Sequence, residues 1–137
     1  MNVMSKDYGQ TVELDVPFDD AVRQVRDALA AQGFGVLTEI DVRATLKAKL
    51  DADMEPYLIL GACNPPLAHQ ALDVDRSIGL LLPCNVVVRG NPDGGSVVQA
   101  LNPATMVELT GLPELRPVAD EARRRLDAAL GSLAARG

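Results

Sequence analysis

The stretch from Asn85 to Ala100, NVVVRGNPDGGSVVQA, decides how the rest of the chain is read. Asn85–Arg89 and Ser96–Ala100 are rich in valine, whose branched Cβ suits a pleated, half-buried surface. Between them GNPDGG, at 90–95, concentrates residues that turn a backbone. Glycine tolerates positive φ, proline arrives with φ already set, and aspartate bonds its own main chain. Together these features predict a hairpin, the clearest in the sequence, and with it an antiparallel strand pair.

Working outward, Pro83 interrupts the apolar run before this hairpin, so the pairing strand is expected to begin at Asn85. Tyr57–Cys63 is apolar at nearly every position, which predicts a strand either buried on both faces or in contact with a second copy. Asn64 is a good N-cap and Pro65 a good first helical residue, so a helix is expected over Pro65–Leu72, with a further turn from Asp75. Nearer the start, Thr11–Val16 alternates as a half-buried strand, and Phe18, Val22, Val25 and Leu29 predict a helix over Phe18–Gln32 with Gly33 at its C′ position. Gly35–Ile40 is read as a strand with Val36 and Ile40 on one side. Asp41 then caps a short helix carrying Val42, Leu46 and Leu50.

After the hairpin, Asn102-Pro103 repeats the cap-then-proline signature and opens a short helix. Val118, Ala122, Leu126, Ala129 and Leu133 line a C-terminal helix, supported by Asp120–Arg124 and Glu121–Arg125 pairs. The order is β-α-β-α-β-α-β-β-α. The economical solution is an α+β, two-layer sandwich: a mixed, mostly antiparallel sheet with helices mainly on one face.

The 137 residues fit a single domain, with 1–8 as a loose N-terminal tail. A net charge of −6, aromatics at 3% and no Trp argue against nucleic-acid or anionic-membrane partners. The one basic run, Arg123-Arg124-Arg125, lies in a helical stretch with acids nearby and reads as a solvated face. The N-terminal MNVMSKDYGQ contains no apolar leader core, and no apolar run approaches the roughly 18 residues that span a bilayer. A cytoplasmic location is the expectation, and in that reducing setting two cysteines are free thiols, ligands or a redox pair rather than a structural disulfide.

The sequence lacks the glycine-rich phosphate motifs, paired-histidine metal motifs and C-x-x-C. What remains is a repeated context: GACNPP at 61–66 and LPCNVV at 82–87 hold Cys63-Asn64 and Cys84-Asn85. Cys63 precedes a helix start, where the positive end of the macrodipole favours a thiolate. Antiparallel neighbouring strands put both cysteines at one end of the sheet, close enough for a disulfide or shared metal; parallel strands hold them about 17–20 Å apart. With His69, the single histidine, a Cys63/His69/Cys84 metal trio is conceivable. Against these stands the plain alternative that both thiols are small buried hydrophobes.

LGACNPPLAHQAL followed by IGLLLPCNVVV resembles the domain of unknown function 302 family of bacteria and archaea, as do GFGVLTEID at 33–41 and NPATM at 102–106. The family often has aspartate before the proline of the last motif; Asn102 stands there and keeps the capping role. The resemblance covers roughly residues 8–133. It implies a compact two-layer α+β domain that forms homodimers, places weight on Cys63, Asn64, Pro65, Pro83, Cys84 and Asn85, and brings no activity with it.

The leading expectation is a dimeric small-molecule or metal-binding module, with Cys63, Asn64, Cys84 and Asn85 at or near its site. One rival is a thiol-dependent enzyme or redox carrier, with Cys63 reactive and Cys84 resolving. The other is a structural or interaction domain with inert cysteines. No cofactor is specified by the residues.

Overall fold

The computed structural model describes residues 3–6 and 8–136. Its elements run β1 Val3–Lys6, β2 Gly9–Leu14, α1 Phe18–Ala31, β3 Gly35–Asp41, α2 Val42–Leu50, β4 Tyr57–Cys63 and α3 Pro65–Val74. A 3₁₀ turn at Arg76–Leu81 leads to β5 Cys84–Gly90 and β6 Ser96–Leu101. α4 Ala104–Thr110, a 3₁₀ turn at Pro113–Leu115 and α5 Arg116–Arg136 complete the chain.

The strands form one six-stranded sheet in the order β1-β2-β6-β5-β4-β3. Every pairing is antiparallel, so the α+β expectation holds while its mixed sheet resolves into a fully antiparallel one. The predicted hairpin is the β5–β6 pair, with Val86 opposite Ala100 and Val88 opposite Val98. Of the stretch expected as a loose tail, residues 1, 2 and 7 lie outside the described residues. Val3–Lys6 instead pairs with Gly9–Val12, giving partners to β2's outer backbone groups.

Strand alternation divides the sheet into two unlike faces. One carries Val12, Leu60, Ala62, Cys84, Val86, Val88, Val98 and Ala100, packed against Val25, Ala28 and Leu29 of α1 and Leu126, Leu130 and Leu133 of α5. A second apolar cluster joins α3, α4 and the start of α5 through Leu67, Ile78, Met106, Leu115 and Val118. The helical layer therefore covers one face only. The other face presents Tyr57, Ile59, Asn85, Val87 and Gln99, and none of these is fully buried.

The predicted caps are present. Asp41 Oδ1 accepts from Ala44 N at 2.8 Å, and Asn64 Oδ1 accepts from Leu67 N at 3.3 Å. Gly33 takes φ +84° after α1, and Asn102 Oδ1 accepts from Ala104 N at 3.0 Å, although the N-cap position of α4 falls on Pro103, one residue later than expected. One face assignment is corrected. The register of β3 shifts between Val36 and Thr38, so Val36 pairs with Ala62 on the covered face while Ile40 pairs with Ile59 on the open one. The extra residue, Leu37, breaks the two-residue period on which their shared side depended.

Candidate functional site

β4 and β5 are antiparallel neighbours, and Ala62 lies opposite Cys84. The two Cys-Asn segments therefore do meet at one end of the sheet. Register, however, puts Cys84 on Ala62's covered face, and alternation sends the adjacent Cys63 to the opposite face. Both thiols are free: Cys84 is buried, Cys63 only half-buried, and both reach the same small cavity at this end of the sheet.

The asparagines are reversed in the same way. Asn64, 7% exposed, sits on the helix side as the cap of α3. Asn85 follows the buried Cys84 by one residue and so projects from the open face.

Cys84 lines a small cavity with Cys63, Asn64, Ala62, Leu67 and Met106. Its volume is about 30 Å³ and its walls are apolar. That is room for one water and far below the few hundred Å³ a ligand needs. Burial pushes the Cys84 thiol up to about 11, and neighbouring Cys63 adds to the rise. A thiol so placed stays protonated at neutral pH and is a poor nucleophile.

His69 is not brought to the cysteines. It lies exposed on α3, with Nε2 3.9 Å from Asp73. Among the described residues no three His, Cys, Asp or Glu side chains gather into a possible metal site, the expected trio included.

Two larger concavities flank the Cys-Asn segments. On the open face, Tyr8, Tyr57, Asn85, Val87, Gln99 and Leu101 surround about 270 Å³. Gln99 is held in place there: its Nε2 donates to Thr11 Oγ1 at 3.1 Å, and its Oε1 accepts from Arg89 Nε at 3.5 Å. On the helix side, Gly33, Asn64, Leu67, Gln70, Glu121 and Arg125 border about 400 Å³.

Apart from Asn64 and Asn85, the sequence reading missed these lining residues. Gln99 was within reach, because extending the hairpin register makes it share a face with Val87 and Asn85. The sequence places Arg125 in a solvated run and pairs it with Glu121, without pointing to a site. Arg125 does pair with Glu121 at 2.7 Å, as expected, but also donates to Gln32 O at 3.1 Å, closing the end of α1. Arg124 turns to Glu121 rather than to Asp120.

The family model described as "Domain of unknown function DUF302" matches residues 10–133. The chain belongs to this family. Among solved structures it is similar to an uncharacterised conserved DUF302 protein from Bacillus stearothermophilus. That match has 28% identity and a TM-score of 0.84, covering 92% of this chain and 98% of that one. No curated protein matches the chain. Among the described residues, no helix of this DUF302 domain is long and apolar enough to cross a membrane.

Proposed function

We propose that this DUF302 protein is a small-molecule-binding domain whose site lies on the open face of the sheet around Asn85. The observation that carries this reading is the outward placing of Asn85 beside a concavity of about 270 Å³, near the lower end of ligand-site volumes. Val87 and Leu101 offer it an apolar floor, while Tyr8, Tyr57, Asn85 and Gln99 offer phenol and carboxamide groups. No charged side chain lines it, so a neutral, partly apolar ligand such as an aryl amide is the matching class.

The thiol-dependent reading gains less support, because the proposed resolving cysteine, Cys84, is buried with a raised pKa. The metal reading lacks a ligand set among the described residues.

We also propose a second copy of the chain as its partner. Ile40, Ile59 and Val87 are aligned across β3, β4 and β5 on the open face, and Ile40 is 49% exposed. This row ends at the ligand concavity, since Val87 belongs to both. A copy seated on the row closes the concavity's open side.

Titrating benzamide into ¹⁵N-labelled protein tests the site. Saturable shifts of the Asn85 and Gln99 side-chain amides, lost in Asn85→Ala, are expected. Shifts confined to other residues, or unchanged in the variant, reject it. Sedimentation of wild type and Ile40→Asp tests the partner: a dimer that the variant dissociates supports it, and a monomeric wild type at high micromolar concentration refutes it.

A further inference from the structure

Beside the start of α3, on the helix side and independent of the open-face site, the fold leaves two hydrogen-bond donors idle. The cap fixes which end of the Asn64 amide faces Leu67 N, and so directs Nδ2 away from the helix. Among the described residues Nδ2 has no acceptor, although the residue is 93% buried by its 7% exposure. No fully enclosed side-chain N or O atom there is unpaired, so Nδ2 opens to the concavity of about 400 Å³ that Asn64 lines.

Arg125 enters the same space from α5. Its Nε and Nη1 are engaged by Glu121 and Gln32, which holds the guanidinium and leaves Nη2 unengaged among the described residues. The two side chains converge. The point where Gly33 would carry a Cβ lies 3.0 Å from Asn64 Nδ2 and 3.2 Å from Arg125 Nη1. Glycine at φ +84° leaves that point empty.

Charge favours an anion. Glu121 also borders the concavity, but Arg124 and Arg125 share its carboxylate and hold its pKa down to about 2. Two guanidiniums against one carboxylate leave an excess of positive charge, and the N-terminus of α3 adds to it. The kind of anion follows from the donors. Pro65 and Pro66, the first two helical residues, have no N–H. Leu67 N and Ala68 N are both taken by Asn64, so no cradle of backbone donors exists for a phosphate.

We propose that this concavity binds a small monocarboxylate. One oxygen accepts from Asn64 Nδ2 and the other from Arg125 Nη2, while the hydrocarbon part lies on Pro66 and Leu67. A flat group with two acceptors matches two convergent donors, whereas a phosphate would bring more oxygens than the site has donors to meet.

The test titrates sodium benzoate, and separately inorganic phosphate at matched ionic strength, into the full ¹⁵N-labelled chain. Benzoate is expected to shift the Asn64 side-chain amide and Arg125 Nε–H saturably, and phosphate is not. Asn64→Asp keeps a capping oxygen but exchanges the donor for a second, anionic acceptor, so benzoate affinity should fall about tenfold or more with the fold retained. Gln70→Glu, on the exposed rim, leaves the cap untouched and should weaken benzoate several-fold even if the first variant fails to fold. Phosphate binding as tightly as benzoate overturns the proposal. So do benzoate affinity unchanged in Gln70→Glu, and benzoate shifts confined to the open face around Asn85.

Discussion

The two faces of this sheet are built from alternate residues of the same strands, yet they do opposite work. Leu60 and Val86 are opposite each other in register, fully buried, and sealed beneath α1 and α5. Their chain neighbours Ile59 and Val87 are also opposite each other, equally apolar, and only half-buried. Composition barely distinguishes the rows, whereas the covering layer does. An apolar residue in a strand thus reports that the strand is paired, and it leaves open what lies over it.

The sharpest way to break this comparison is to truncate neighbours. Leu60→Ala removes methyl groups from a sealed core and should cost about 2–5 kcal/mol in chemical denaturation. Ile59→Ala should cost about 1 kcal/mol or less in the monomer, because the space it vacates is already open to water. Equal losses would mean that the open row is covered in solution, and a loss at Ile59 that grows with protein concentration would identify a second copy as the cover.

The cysteines extend the contrast to chemistry. Cys84→Ser places a hydroxyl among apolar side chains and should destabilise by about 1–3 kcal/mol, while Cys63→Ser at a half-buried position should cost less. In native protein at pH 8, Ellman's reagent should label Cys63 well before Cys84, which should react fully only after unfolding. The raised pKa has a further consequence of definite sign. The Cys84 thiol binds its proton more tightly folded than unfolded, so its contribution is complete below about pH 9 and is lost as pH rises toward about 11. Relative to wild type, Cys84→Ala should show a flatter fall of stability over that window. Parallel curves would mean that the thiol is not buried as described.

Much of this architecture is legible in the sequence because it is local. The cap at Asn64, Pro65 at the helix start, the GNPDGG turn and the valine-rich strands each act within a few residues. Sidedness is what was lost, and for a physical reason. A period of two assigns faces only relative to a neighbour, and one bulged residue resets it, as Leu37 does between Val36 and Ile40. GACNPP and LPCNVV therefore look alike while standing in opposite phase: one buries its asparagine, the other its cysteine. The concavity at Asn64 was beyond reach for a second reason. Gly33, Gln70 and Arg125 converge there from α1's end, α3 and α5, and no spacing in the chain encodes that meeting.

A glycine pair tests the same crowding at smaller scale. At Gly61, on the open face, a Cβ would collide with Thr38 Oγ1 and stand 2.8 Å from Pro83 Cγ. Gly61→Ala should therefore destabilise by about 1–3 kcal/mol, partly rescued by Thr38→Ala. At Gly35, opposite Cys63 on the edge strand, nothing lies within 4 Å of such a Cβ, and alanine should change stability by about 0.5 kcal/mol or less. A tolerant Gly61 would show that β3 lies further from β4 than the register requires.

The smallest effect is expected where the helical layer itself meets water. Glu121 takes Arg124 at 2.5 Å and Arg125 at 2.7 Å, and these guanidiniums hold its carboxyl down to about 2. Because the folded carboxyl gives up its proton more readily than the unfolded one, the stabilisation is present above the ordinary carboxylate range near 4.5 and fades as pH falls toward 2. Water surrounds this group, so the gain is well screened and salt should shrink it further. Glu121→Gln should flatten the acid limb of a pH–Tm profile at low ionic strength and leave the profile above pH 6 nearly unchanged. A drop at neutral pH as large as that of Leu60→Ala would show that Arg125, released from Glu121, no longer closes the end of α1 at Gln32 O, and that this rim pair belongs with the sealed face after all.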